Sequence, residues 1–351
     1  MNVKYLEPTG TIIREYLDEV KITQKELAIR IGSSEKHISN VLNGNARLTE
    51  EFALKLEKIL VDIPASYWLN YESKYREYLA RQEEILKINN WNLDDISKRF
   101  RFSEVFKDLG LSLTEQAIEM LKLLKISDFD NFDKTYNNLA VDFMEDGGEK
   151  EAIAIWLNLC EEEIEIQNDD IEHVVFDKNK LEKSLNKFKI LSNNNNTDAS
   201  IRSCRKLCNK LGIYLVFCES ITNSKVRGAL TTYKGHPVIY ISGRFKSHSH
   251  IWFAFMHEIG HLILHYNQKD IMISMEEDDE THNVKELEAN KFARDFFVKP
   301  DDYNNFIMIS NGNFTKELIL EFSKKQDVLP EFVVARLQHD KKIEYSKFNW
   351  L

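Results

Sequence analysis

The chain has 351 residues, 43% of them hydrophobic, with only 12 glycines and 5 prolines. That length allows two domains with sizeable cores, and the shortage of turn-forming residues points to a mostly α, overall α+β fold. The net charge of −10 argues against a protein that coats nucleic acid through bulk electrostatics. A small local DNA-reading surface is still compatible with it: between Lys21 and Leu48, Lys21, Lys25, Arg30, Lys36 and Arg47 stand against Glu26 and Glu35.

Met1 to Arg14 lacks the apolar stretch of a signal peptide, and no apolar run approaches a membrane span of ~20 residues. A cytoplasmic protein in a reducing compartment, with no membrane partner, is expected. Cys160, Cys204, Cys208 and Cys218 form no C-x-x-C spacing and read as small buried hydrophobes.

In chain order, residues 9–80 read as short helices, with apolar positions recurring at helical spacing: Ile12, Ile13, Tyr16 and Leu17; Leu27, Ala28 and Ile31; Ile38, Val41 and Leu42; Phe52, Ala53, Leu56, Ile59 and Leu60. Residues 81–198 turn into longer, charged, amphipathic helices, such as Leu111 to Leu124 and Lys150 to Glu165, and form a helical connector without a chemical motif. The asparagine run in Leu191 to Thr197 is the clearest linker. Residues 199–351 begin with a helix and continue with strand-like runs at Ile213 to Cys218, Ala229 to Tyr233 and Pro237 to Ser242, the last two joined by a tight turn. Helices follow from Ser249 to His265, Val284 to Val298, Asp301 to Ile309, Phe314 to Lys324 and Pro330 to His339. A small sheet followed by helices makes this last domain α+β.

The N-terminal segment carries a DNA-reading pattern. Thr23 and Glu26 form a capping-box sequence at the start of a helix. Ala28, Gly32 and Ile38 fall where a helix-turn-helix needs a small residue at the helix crossing, a glycine in the turn and a β-branched residue facing inward. The second helix then runs from about Ser34 to Leu42. Ser34, Glu35, Lys36, His37 and Asn40 would face the major groove of a double-stranded operator. Gln24, Asn43 and Arg47 are candidates for phosphate or flanking contacts.

The second constellation is His257-Glu258-Ile-Gly-His261, an H-E-x-x-H in an apolar helix. Two imidazoles four residues apart leave one face of a helix one turn apart, which suits two ligands of one zinc ion. Glu258, beside the first ligand, is placed to take a proton from a water whose acidity the zinc raises, for attack on a carbonyl. A third ligand is needed. The next helix offers Glu286 and, four residues on, Asn290 on the same face, so Glu286 is the favoured ligand and Asn290 a hydrogen-bonding partner of one. Glu288 is the other option for the third ligand. His265, one further turn along, cannot share the ion with both motif histidines on a straight helix and reads as packing or hydrogen-bonding around the site.

Residues from about Lys225 to Tyr303 resemble the ImmA/IrrE metallopeptidases, through Arg227-Gly228-Ala229, Pro237 to Arg244, Trp252-Phe253, the H-E-x-x-H, and Glu286 to Asp295. The segment Pro8 to Arg81 resembles XRE/Cro repressors and closely their HigA-type antitoxin branch, through Lys36 to Gly44, Ala53 to Glu57 and Pro64 to Asn70. The likeness implies a gluzincin-type, zincin-like site holding one zinc per chain on His257, His261 and Glu286, with Glu258 as base. It also implies dimers on palindromic operators and a repressor or antitoxin-type protein as substrate. It leaves the oxyanion stabiliser open among Tyr303, His265 and Arg336. Two other readings remain: a regulator whose C-terminal domain senses a metal or ligand without cutting anything, and an antitoxin whose C-terminal half grips a toxin.

Overall fold

A computed structural model describes residues 6–137, 148–243, 247–268, 271–275 and 283–348. The chain divides into two compact units, Met1–Lys98 with Phe106–Ile118, and Arg99–Val105 with Glu119–Leu351.

In the first unit five helices carry the core: α1 (Thr9–Glu19), α2 (Gln24–Ile31), α3 (Glu35–Leu42), α4 (Glu50–Glu57) and α5 (Ala65–Asn89). Their starts are capped as the sequence implies. Thr23 Oγ1 accepts from Glu26 N at 3.2 Å, and Ser34 and Thr49 do the same for α3 and α4. The capping box is half made, because the Glu26 carboxylate pairs with Arg30 instead. Gly32 ends α2 at φ 70°, a left-handed turn that glycine adopts without strain. Ile13, Leu17, Leu27, Ala28, Ile38, Leu42, Phe52 and Trp68 form one buried cluster.

A carboxylate lies inside this unit. Glu72, on α5, accepts from Thr9 Oγ1 at 2.5 Å, Leu48 N at 3.3 Å and Arg76 Nε at 2.7 Å. A buried charge is tolerable only with such partners, and here they tie α1 and the approach to α4 onto α5.

The tightest contact is glycine against backbone. A Cβ on Gly10 would stand 2.1 Å from the carbonyl oxygen of Leu42, so α1 crosses the end of α3 with no room for a methyl. Gly10→Ala gains about 1 kcal/mol of helix propensity but must separate two helices. The net expectation is a loss of about 3 kcal/mol, read as a lowered midpoint for this unit in chemical unfolding.

In the second unit, helices α6 (Lys150–Glu162), α7 (Lys178–Ser192) and α8 (Thr197–Lys210) precede a four-stranded sheet. Residues 193–196, which composition marks as a linker, are the short turn between α7 and α8. The strands are β1 (Tyr214–Cys218), β2 (Val226–Tyr233), β3 (His236–Ser242) and β4 (Met272–Met275), in the order β1-β3-β2-β4. β1 runs parallel to β3, and β2 is antiparallel to both β3 and β4. Lys234 and Gly235, both at positive φ, make the two-residue hairpin turn whose twist suits flanking strands. β4 went unread in the sequence.

Helix α9 (His248–Leu264) packs on β2 and β3, with Ile239, Ile241, Leu215 and Leu230 in the same core as Trp252, Phe255 and Ile259. Tyr240, on the opposite face of β3, meets Trp156 of α6 edge-on at 6.1 Å. Cover on both faces explains why β3 reads as a continuous apolar run. Helices α10 (Val284–Phe297), α11 (Pro300–Ser310), α12 (Lys316–Gln326) and α13 (Pro330–His339) complete the unit. None of the described helices is long and apolar enough to cross a membrane.

Candidate metal centre

The H-E-x-x-H lies in the middle of α9, and His257, Glu258 and His261 are all buried. α10 crosses α9 at Gly260, where a Cβ would meet Ala289 Cα and Phe292 Cδ1, each at 3.2 Å. This close crossing brings Glu286, in the first turn of α10, over the two imidazoles. His257 Nε2 and His261 Nε2 are 3.0 Å apart. Glu286 Oε2 lies 3.1 Å from the first and Glu286 Oε1 2.9 Å from the second. Among the described residues, ligand atoms of these three all fall within 4.8 Å of one another.

The donor set fits a divalent cation. Two nitrogens on roughly 2.0 Å bonds to one tetrahedral zinc would stand about 3.3 Å apart, close to the spacing seen here. The opposite nitrogen of each imidazole is already engaged, which leaves both Nε2 atoms for a cation. His257 Nδ1 faces Asn290 Oδ1 at 2.7 Å, and His261 Nδ1 faces His265 Nδ1 at 3.1 Å. Glu288, the alternative third ligand, turns away: its Oε2 lies 2.8 Å from His265 Nε2.

The three side chains are electrostatically coupled. Burial alone would raise Glu286, but its hydrogen bonds to His257 and His261 outweigh this and hold its carboxyl down to about 2. Burial pulls His261 down, yet Glu286 beside it leaves it raised overall. Burial pushes the Glu258 carboxyl up; the Ser274 hydroxyl on β4 lies beside it and works against that rise, and among the described residues neither carboxylate oxygen has a partner at full hydrogen-bond geometry. An acid so placed is poised to exchange a proton with something beside it.

Gly228 on β2 makes room for that acid. A Cβ there would lie 2.5 Å from Glu258 Oε1 and 3.0 Å from the carbonyl oxygen of Tyr240. The β2–β4 pairing shifts register between Val226 and Gly228, leaving Arg227 as the extra residue, with its guanidinium 5.7 Å from the Phe253 ring. Of the oxyanion candidates, Arg336 donates to Asp340 at 2.8 Å and covers the ring of Tyr303 at 4.8 Å. His265 is held between His261 and Glu288.

In the first unit, Ser34, Glu35, Lys36 and His37 are exposed along the start of α3, and Asn40 is half-buried one turn on. Gln24 donates to the carbonyl of Glu35 at 3.4 Å, joining the starts of α2 and α3. Arg47 is exposed, whereas Asn43 caps α3 and its side chain is bonded to Arg14 and Ser39. The sequence singled out neither Arg14 nor the spacing roles of Gly228 and Gly260.

Comparison with known proteins divides the chain the same way. Residues 13–63 match a family model described as helix-turn-helix, and residues 208–314 match a peptidase-family model described as an IrrE N-terminal-like domain. An uncharacterized HTH-type transcriptional regulator, YddM of Escherichia coli (strain K12), is 32% identical over 80 residues, which cover 23% of this chain and 82% of that protein.

Proposed function

This chain belongs to the HTH-type transcriptional regulators and carries, later in sequence, an IrrE N-terminal-like peptidase domain. From that premise we propose that it is a zinc-dependent endopeptidase joined to its own DNA-reading head, and that it cuts a repressor or antitoxin-type protein. We assign the DNA-reading head to residues 1–80, a connector to 81–198 and the peptidase to 199–351, and we place the protein in the cytoplasm as a homodimer on its operator.

The observation that carries this reading is the convergence of His257, His261 and Glu286 within 4.8 Å, with a fully buried carboxylate from the residue next to the first of them. In this reading those three hold one zinc. When bound, zinc supplies Lewis acidity and makes water a usable nucleophile near neutral pH. Glu258 takes the proton from the attacking water and returns it to the departing amine as the C–N bond breaks, so acid and base are one residue. Asn290 holds the ring of His257 in the orientation that points Nε2 inward.

The test is incubation of the zinc-loaded protein with purified helix-turn-helix repressors, followed by mass spectrometry of the products. One new amine and one new carboxyl terminus at a single position support the proposal. Intact candidates, together with operator binding that changes when zinc is removed, would move the reading to a metal sensor.

Gly228→Ala gives a second check. The Tyr240 carbonyl belongs to the sheet and cannot yield, so the new methyl must displace the Glu258 carboxylate. Misplacing a catalytic group by about 1 Å costs on the order of 10²-fold in rate. Turnover should therefore fall by that order while zinc content stays at that of the unmutated protein.

A further inference from the structure

Beyond the three candidate ligands and their base, a line of polar side chains runs from the site to the surface. His261 is fully buried, His265 caps the C-terminal end of α9, and Glu288, on α10, is 55% exposed at its side chain. The contacts are 3.1 Å between the two Nδ1 atoms and 2.8 Å from His265 Nε2 to Glu288 Oε2.

The hydrogens on this line have one consistent arrangement. Two facing Nδ1 atoms need one donor and one acceptor. If His261 Nε2 gives its lone pair to a cation, its hydrogen sits on Nδ1 and is donated to His265. The Nδ1 of His265 is then the acceptor, so its own hydrogen sits on Nε2 and is donated to the Glu288 carboxylate. Every donor on the line meets an acceptor, and the line ends on an anion. The other histidine is backed differently, by the neutral amide of Asn290 at 2.7 Å.

We infer that His265 and Glu288 are positioning residues for the metal: they fix His261 in the tautomer that presents Nε2 and make that imidazole a stronger donor than His257. This rests on the metallopeptidase reading above. Among the described residues Glu288 has no hydrogen bond to any of the three candidate ligands and acts through His265.

The experiment measures zinc affinity by competition with a chromophoric chelator, together with the visible absorption of the cobalt(II)-substituted protein. Losing a hydrogen bond to a metal-bound histidine weakens binding by about 10- to 100-fold. His265→Ala is expected to fall in that range and to shift the cobalt bands, with Glu288→Ala losing less. His265→Asn keeps an acceptor near the Nδ1 position, and Glu288→Gln keeps one for His265 Nε2, so both should recover most of the affinity. The double variant His265→Ala/Glu288→Ala should bind no more weakly than His265→Ala alone, because removing the intermediary leaves Glu288 nothing to act on. Glu288 is largely exposed, so its variants test the idea without risk to the core. Unchanged affinity in both alanine variants, or additive losses in the double variant, would overturn the inference while leaving the zinc reading intact. An unmutated protein that takes up no zinc would overturn both.

Discussion

Glu258→Gln is expected to lower peptide hydrolysis by about 10²- to 10⁴-fold, the usual contribution of a positioned proton acceptor, without releasing the metal. Glutamine keeps the shape of the side chain and loses its basicity. It touches none of the groups proposed to hold the ion, so zinc content by elemental analysis should equal that of the unmutated protein. The carboxylate is fully buried between α9 and β2, with the Ser274 hydroxyl beside it and, among the described residues, no partner at full hydrogen-bond geometry. Burying a charge in that way is costly. A neutral amide costs less to bury than a carboxylate, so the zinc-free variant should melt at a higher temperature than the zinc-free unmutated protein. A variant that is inactive, metal-replete and more stable would separate chemistry from folding. Full activity in Glu258→Gln would remove the residue from the mechanism.

The parts of this molecule that could be read in the sequence are those whose geometry is local. His257 and His261 share a helix, so their spacing alone puts both rings on one face. The helix-turn-helix is likewise set by short-range signals: a cap at Thr23, a left-handed glycine at 32 and buried apolar positions on α3. Glu286 could be read as far as its helix face, but choosing it over Glu288 depends on how α10 crosses α9, which Gly260 controls. Gly228 and Gly10 could not be read at all, because their importance lies in which backbone or carboxylate stands opposite. Glu72 and Arg76 look like an ordinary exposed i,i+4 pair, yet the carboxylate is buried and joins three elements. β4 is four residues, Met272-Ile-Ser-Met275, too short for a clear alternation, and its partner β2 supplies its definition. In each case the missing information was tertiary contact.

His257→Ala is expected to abolish tight zinc binding and with it the stability that zinc confers on the second unit. A cation that binds only the folded state stabilises it by RT ln(1 + [L]/Kd), about 4 kcal/mol when free zinc is a thousand times the dissociation constant. The candidate ligands come from two helices, so the ion would tie α10 to α9 near the close approach at Gly260. The gain should therefore be confined to the second unit and should leave the first unit's transition where it was. Chelation of the unmutated protein should lower the second unit's melting temperature, whereas the melting temperature of His257→Ala should be the same with and without zinc. The variant's own metal-free stability should fall by about 2 kcal/mol, because alanine leaves a cavity and removes a buried partner of Asn290 and Glu286. A melting temperature that zinc does not move in the unmutated protein, with no metal in the elemental analysis, would mean that His257, His261 and Glu286 form a buried ion-pair cluster and nothing more.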